Sequence, residues 1–190
     1  CDQLAEPDHR HNARLLSRFP QYLDKVGGRV VPNEAQITTL HNDIRKTYGL
    51  EPVDIVLSNS VFEHLRDVSG IIEALTRLTH SNGIQIHRID LRDHYFKYPF
   101  EMLRFSANVW AKFLDPSSHH NRYRLWDFRR SFERNFGQVD VEILHSDPEE
   151  FERIRDHIRE EFVSGNMSED AATIILLVSR EKRACGDRHL

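Results

Sequence analysis

Only two of the 190 residues are cysteine, Cys1 and Cys185, one near each end. Two terminal cysteines build no disulfide framework, and a reducing, cytoplasmic setting is the expectation. Glycine is scarce at eight residues, and no two glycines are separated by a single residue. A Gly-x-Gly loop, which lets backbone approach a phosphate or nucleoside closely, is therefore missing from the sequence. No stretch approaches the roughly 18 apolar residues of a membrane-spanning helix, and no secretory signal pattern opens the chain. Basic residues do not gather into one tract, and the net charge is −4, so neither nucleic acid nor an anionic membrane is favoured as a partner. No internal repeat or low-complexity segment appears.

What is present suits a globular α/β chain, 39% hydrophobic and 29% charged. The length fits one domain, read here as residues 1–182 with a disordered tail over 183–190. Leu15, Leu16, Phe19, Tyr22, Leu23 and Val26 recur at helical spacing. Pro20 should split that stretch into two short helices, ended by Gly27-Gly28, with Arg29-Val30-Val31 a minimal strand. Ile37, Leu40, Ile44 and Tyr48 predict a helix over 34–48, capped by Asn33. A strand over 37–41 competes, because Ile37-Thr38-Thr39 is β-branched.

The best-defined unit starts at VDIVLSNSVFEHLR, residues 53–66. The spacing predicts a strand over 53–58, a helix over 61–79, a turn at Asn82-Gly83 and a strand over 84–90. Strand–helix–strand with short connections makes parallel sheet with a right-handed crossover. Residues 91–124 are rich in aromatics and histidine and read as a lid-like insertion. A helix over 125–136 and a strand over 138–145 follow. Asp147-Pro148-Glu149-Glu150 signals a helix start, and ATIILLVS, 172–179, is the last strand.

Two stretches can carry chemistry. Ser58-Asn59-Ser60 sits where a strand hands over to a helix, and ligands collect at such strand ends in open α/β sheets. Ser60 and Glu63 also fit a capping box, which explains those two without any ligand. Asp90, Asp93 and His94 fall where the neighbouring strand leaves the sheet. An Asp–His pair there can take a proton from a substrate hydroxyl, and ordinary surface ion pairing is the alternative. Arg122 and Arg124 can present guanidinium forks to a substrate anion, or pair with Asp127 and Glu133. The histidines form no metal-ligand pattern, and His119 and His120 read as loop residues.

The run VDIVLSNSVFEHLRDVSGIIEALTRLTHSNGIQIHRIDLRDH resembles the fourth-strand to fifth-strand region of class I S-adenosylmethionine-dependent methyltransferases. Asp54, Ser58, Asn59, Val61, Glu63, His64 and Leu65 match that family's pattern, and Asn82 replaces a usual glycine. The resemblance implies a partial Rossmann-like methyltransferase sheet, mostly parallel with an antiparallel C-terminal strand and helices on both faces. Residues 138–145 and 172–179 would be the family's sixth and seventh strands. It implies S-adenosyl-L-methionine as cofactor, near Asn59, Ser60 and Val61, with His64 supporting that region. His94 or Asp90 would be the base for an oxygen acceptor. Trp110, in the aromatic segment, would cover the acceptor beside Arg122 and Arg124. A sugar or lipid-linked intermediate is the expected acceptor class.

The missing glycine loop makes truncation the expectation, with the chain starting at the end of the second strand. Asp2 would then bind the cofactor ribose, and Asp43 or Glu51 would stand near the adenine. An incomplete sheet should expose apolar edges and invite a homodimer. The alternative is a Rossmann-like binding module without catalysis.

Overall fold

Gly27 and Gly28 both adopt left-handed φ, +57° and +82°, and fold the chain into a tight hairpin. This is the geometry two-residue hairpin loops require. The structure, a computed structural model, describes residues 9–115 and 120–183. It divides into two units, residues 1–43 and 44–190, where the sequence reads as one domain. In the first unit α1 (His9–Arg18) precedes the antiparallel pair β1 (Leu23–Val26) and β2 (Arg29–Pro32). Leu23 and Val26, expected in a helix, are strand residues, because the double glycine closes a hairpin rather than a helix. No helix forms over 34–48 beyond a 3₁₀ turn at Ile44–Lys46, and no strand forms over 37–41. Leu40 and Tyr48 remain exposed, so the periodic face has no apolar surface to bury against, and periodicity alone does not stabilise a helix.

The second unit is built on four strands: β3 (Val53–Asn59), β4 (Thr79–Asp90), β5 (Phe136–Ser146) and β6 (Ala172–Lys182). Their order across the sheet is β3-β4-β6-β5. β3 pairs parallel with β4, and β6 pairs antiparallel with both β4 and β5. Three strands thus run one way and the C-terminal strand opposes them, as the sequence reading expects. The register between β3 and β4 jumps from Val53↔Thr79 to Ile55↔Ile84. The expected turn at Asn82-Gly83 is absorbed as this bulge within β4.

Helices α2 (Val68–Leu78) and α4 (Leu125–Glu133) share a core with one sheet face. That core holds Ile72, Phe128, Phe132, Phe136, Ile89, Ile175 and Leu177. Alternation along β4 and β6 sends every second residue into it. On the other face Ile55 is 56% and Leu57 70% exposed.

A second core gathers Phe100, Met102, Leu103 and Trp110 with Phe151, Ile154, Ile158 and Phe162. It joins the insertion to α5 (Pro148–Ile154), which Asp147 caps through the Glu150 amide as the sequence predicts. The insertion itself is a 3₁₀ turn (Glu101–Arg104), a turn of helix α3 (Ala107–Val109) and a π-helical turn (Trp110–Leu114). A last helical turn, α6 (Met167–Asp170), leads into β6. β6 runs on to Lys182, and the Arg183 guanidinium donates to the Phe136 carbonyl at 3.0 Å. Arg183, placed in the tail by the sequence reading, is thereby tied to β5.

Candidate functional site

Because β3 and β4 are parallel, their carboxyl ends share one rim of the sheet. Asn59 lies opposite Arg88, and Asp90 follows two residues later on β4, about 7 Å further along at ordinary strand rise. Arg88 Nη1 donates to both Asn59 Oδ1 and Ser60 Oγ at 3.2 Å, and the Ser60 amide donates to the Arg88 carbonyl. Ser60 sits at φ +54°, a left-handed conformation that is unfavourable for a residue with a Cβ.

The expected capping box does not form. Val61 occupies the cap position of a 3₁₀ turn over Phe62–His64, with no side-chain cap. The left-handed turn at Ser60 directs its hydroxyl to Arg88 instead. The helix begins only at Val68, capped by Asp67 Oδ1, which accepts from the Gly70 amide at 2.9 Å. A Cβ at Gly70 would meet Asp67 Oδ2 at 2.2 Å, so the Asp-x-x-Gly spacing was the sequence signal for this later start. Val61 is exposed, while Phe62 and Glu63 point inward.

Glu63 is buried at this rim, and neither carboxylate oxygen completes a hydrogen bond among the described residues. Burial pushes its carboxyl above the usual range; its own amide and the His64 ring pull it back, and the Asp90 charge adds to the rise. Asp90 is gripped by Arg92 in a two-pronged pair, with Nη2 to Oδ2 at 2.6 Å and Nε to Oδ1 at 2.9 Å. Burial raises the Asp90 carboxyl, but Arg92 and His94 together outweigh it and hold it low. His94 Nε2 lies 3.6 Å from Asp90 Oδ2.

Three imidazoles meet here. Ring centroids are 5.3 Å apart for His64 and His94, 5.5 Å for His64 and His120, and 4.8 Å for His94 and His120. Asn121 sets this arrangement. Its side-chain amide donates to the carbonyls of Phe62 (2.7 Å) and Leu65 (2.8 Å), and its backbone amide donates to the Glu63 carbonyl. One asparagine thus clamps the turn after β3 to the segment carrying His120. Among the described residues no group of three or more His, Cys, Asp or Glu is placed to hold a metal ion.

The structure separates the other expected residues from this rim. Arg124 is fully buried, and its guanidinium donates to the carbonyls of Leu91, Asp170 and Ala172. This corrects the expectation that it faces a substrate: its fork is taken by backbone. Arg122 Nη1 donates to the carbonyls of Phe105 (2.5 Å) and Met102 (3.4 Å), and its guanidinium lies over the rings of Trp110 and Phe162. Trp110 is buried and donates to the His120 carbonyl at 3.1 Å. Trp110 and Arg122 still line a cavity of about 250 Å³ with His64, His120 and Asn121. Asp2 lies outside the described residues.

His120, Asn121 and Glu63 went unassigned or misread from sequence. His120, expected in a loop, is 2% exposed. Its only signal was membership of the aromatic and histidine-rich segment. Glu63 was hidden behind the capping-box reading.

No protein-family model matches the chain, and no curated protein matches it. Solved structures similar to it include phosphoethanolamine N-methyltransferase 2 of Haemonchus contortus in complex with S-adenosyl-L-methionine, at TM-score 0.45 and 16% identity. The same enzyme with phosphomonomethylethanolamine and S-adenosylhomocysteine aligns at TM-score 0.44 and 16% identity. Each alignment covers 74% of this chain and 36% of the other. The chain thus spans about a third of the length of these first relatives. A structure assigned as a sarcosine dimethylglycine methyltransferase of Galdieria sulphuraria aligns at TM-score 0.45 and 12% identity, over 92% of this chain and 66% of the other.

Proposed function

We propose that the chain takes part in S-adenosyl-L-methionine-dependent methyl transfer to a small polar acceptor, through an oxygen atom. The observation that carries this reading is the shared rim: parallel β3 and β4 bring Asn59 and Ser60 beside Asp90 and His94. These are residues of the stretch that resembles the methyltransferase pattern. When bound, S-adenosyl-L-methionine supplies a sulfonium methyl already activated toward a nucleophile, so the protein's part is alignment and proton removal.

The residues present suit the methionine end of that cofactor. Asn59 is exposed at the strand tip, beside the left-handed turn at Ser60. In this reading Asn59, Ser60 and Val61 hold the cofactor, and His64 supports the turn. His94 takes the proton that an acceptor oxygen loses, and Asp90 orients His94. Arg92 keeps Asp90 ionised, which suits an orienting carboxylate better than a base. Trp110 and Arg122 wall the acceptor side.

Calorimetric titration of the chain with S-adenosylhomocysteine tests the reading. Saturable binding that weakens at least about tenfold in Asn59→Ala, roughly one charge-assisted hydrogen bond, is the expected result. Absence of binding at the ligand's solubility limit overturns it for this chain. The sequence holds no Gly-x-Gly, and this favours a second reading, a Rossmann-like binding module without catalysis. Binding of S-adenosylhomocysteine without any methylation is the signature of that alternative.

A further inference from the structure

Arg88 stands half-buried near the carboxyl end of β4. Ile86 precedes it on the same face of the sheet, and Leu176 lies opposite it on β6. A guanidinium in such surroundings is usually matched by an acid. Among the described residues Arg88 makes no ion pair. Its guanidinium donates only from Nη1, to Asn59 Oδ1 and Ser60 Oγ, both at 3.2 Å. Asp90, two residues on, is already held at both carboxylate oxygens by Arg92.

The bonds at Nη1 determine which edge of the planar group remains. Nε–H and Nη2–H point the same way along the other edge, as a two-pronged donor. Neither atom has a partner among the described residues, yet neither is buried, so this edge opens to solvent. Elsewhere in the molecule the same edge is used to grip a carboxylate. Arg92 places it on Asp90, with Nη2 at 2.6 Å and Nε at 2.9 Å. Arg153 places it on Glu150, at 2.6 Å and 2.8 Å. In Arg88 no protein carboxylate meets it, and Asn59 and Ser60 already fix its orientation.

An edge made of two donors calls for two acceptors. Two parallel N–H groups match two oxygens of one carboxylate or one phosphate. Charge separates these. Arg88, Asp90 and Arg92 together carry one net positive charge, which a single carboxylate balances and a phosphate dianion exceeds. The apolar neighbours Ile86 and Leu176 lower the local dielectric and strengthen such a pair.

We propose that Arg88 binds the carboxylate of a ligand seated at the ends of β3 and β4, through its Nε–Nη2 edge. Identification of that carboxylate with the amino-acid end of S-adenosyl-L-methionine rests on the methyl-transfer reading; the carboxylate site does not.

Titration of the full chain with S-adenosylhomocysteine and with its decarboxylated analogue, which differs only in lacking the carboxylate, tests this. The wild type should bind the analogue at least about tenfold more weakly, the worth of a charge-assisted pair. In Arg88→Gln, which removes both the charge and the fork, the two ligands should bind within about twofold of each other. The Arg88 Nε–H signal in ¹H–¹⁵N spectra should move saturably with S-adenosylhomocysteine and with L-methionine. If the glutamine variant unfolds, the wild-type ratio and this signal decide. Equal wild-type affinity for the two ligands overturns the proposal and leaves the methyl-transfer reading standing. So does a glutamine variant that weakens both alike, since Arg88 then only places Asn59. If S-adenosylhomocysteine fails to bind, while L-methionine moves the Nε–H signal and the amine left by removing its carboxylate does not, the site stands and methyl transfer falls. A signal moved by neither S-adenosylhomocysteine nor L-methionine overturns the site.

Discussion

His94 and His120 cross at 71° with their ring centroids 4.8 Å apart, bringing the end of β4 against the segment that leaves the insertion. His94 also lies 3.6 Å from Asp90 Oδ2, while Asp90 is held by Arg92. In the methyl-transfer reading proposed above, His94 removes the proton and Asp90 orients His94. With an identified acceptor, His94→Ala should lower kcat by about 10²–10⁴, the usual worth of a general base. Affinity for S-adenosylhomocysteine should stay within about twofold. Asp90→Asn should lower kcat less and leave the same affinity. Equal loss of cofactor affinity and rate in His94→Ala would refute the division of labour.

Stability should depend on pH through buried groups of two kinds, with His87 and His120 weakening the fold as pH falls below neutrality. His87 is fully buried in the core. Its Nδ1 meets the Ser58 hydroxyl at 2.8 Å and its Nε2 meets Gln85 Oε1 at 3.1 Å. The Gln85 oxygen accepts, so Nε2 carries the hydrogen and Nδ1 receives the serine's. Burial lowers its pKa from 6.5 to about 3. A depressed histidine contributes stability that is present above the unfolded value and lost as pH falls toward the folded one. Between pH 6.5 and 5 the loss is about 2 kcal/mol, and His120 adds to it. Glu63 and Asp93 act oppositely: both carboxyls are raised by burial, so their contribution is full below the unfolded values and disappears as pH rises through the raised ones. Urea midpoints across pH 4.5–8 check this. His87→Gln should flatten the acid limb; an unchanged limb would remove His87 as its source.

The sheet was legible because its signals are local and mutually consistent. Alternation, β-branched runs and Asp147-Pro148 each agree with the packing they enter. The cap at Asp67 was missed because Ser60-x-x-Glu63 imitates a better-known pattern, and only the left-handed backbone at Ser60 distinguishes them. The helix expected over 34–48 failed for lack of a surface to bury against, a fact of tertiary packing. Asp90 and His94 were legible from their position at a strand end. His120 was not, since its place depends on Asn121 reaching back to Phe62 and Leu65, a pairing that no local spacing encodes.

Arg124 supports a stability prediction rather than a functional one. Its guanidinium meets the carbonyls of Leu91, Asp170 and Ala172 and lies 5.6 Å from the Phe100 ring centroid. Arg124→Ala removes the donors and leaves those carbonyls facing a void. The expected cost is at least about 3 kcal/mol in urea unfolding. Arg122→Ala should cost less, since that side chain is only partly buried. A change under about 1 kcal/mol in Arg124→Ala would contradict this role.

The exposed apolar residues of β3 should drive self-association. Val53, Ile55 and Leu57 are all exposed, and β3 lies at one edge of the sheet. Edge strands of this kind pair with other chains unless blocked. Sedimentation velocity should show concentration-dependent dimers, suppressed in Ile55→Lys/Leu57→Lys with the unfolding midpoint little changed. A monomer at high concentration in the wild type would count against the edge as an interface.

Ser60 offers a separation of stability from binding. At φ +54° a serine is strained where glycine is not. Ser60→Gly relieves that strain but also frees the unfolded chain, so the net change should be small, within about 1 kcal/mol either way. The hydroxyl it removes accepts from Arg88 Nη1 at 3.2 Å, and Asn59 Oδ1 accepts from the same nitrogen. Losing one of two partners loosens Arg88 and with it Asn59. Affinity for S-adenosylhomocysteine should therefore fall several-fold while the unfolding free energy barely moves. Ser60→Ala keeps the strain and loses the same hydrogen bond, so it should match the glycine variant in affinity and be the less stable of the two. If the glycine variant binds as tightly as the wild type, the Ser60–Arg88–Asn59 linkage has no part in holding the cofactor, and the contact surface must lie elsewhere on the rim.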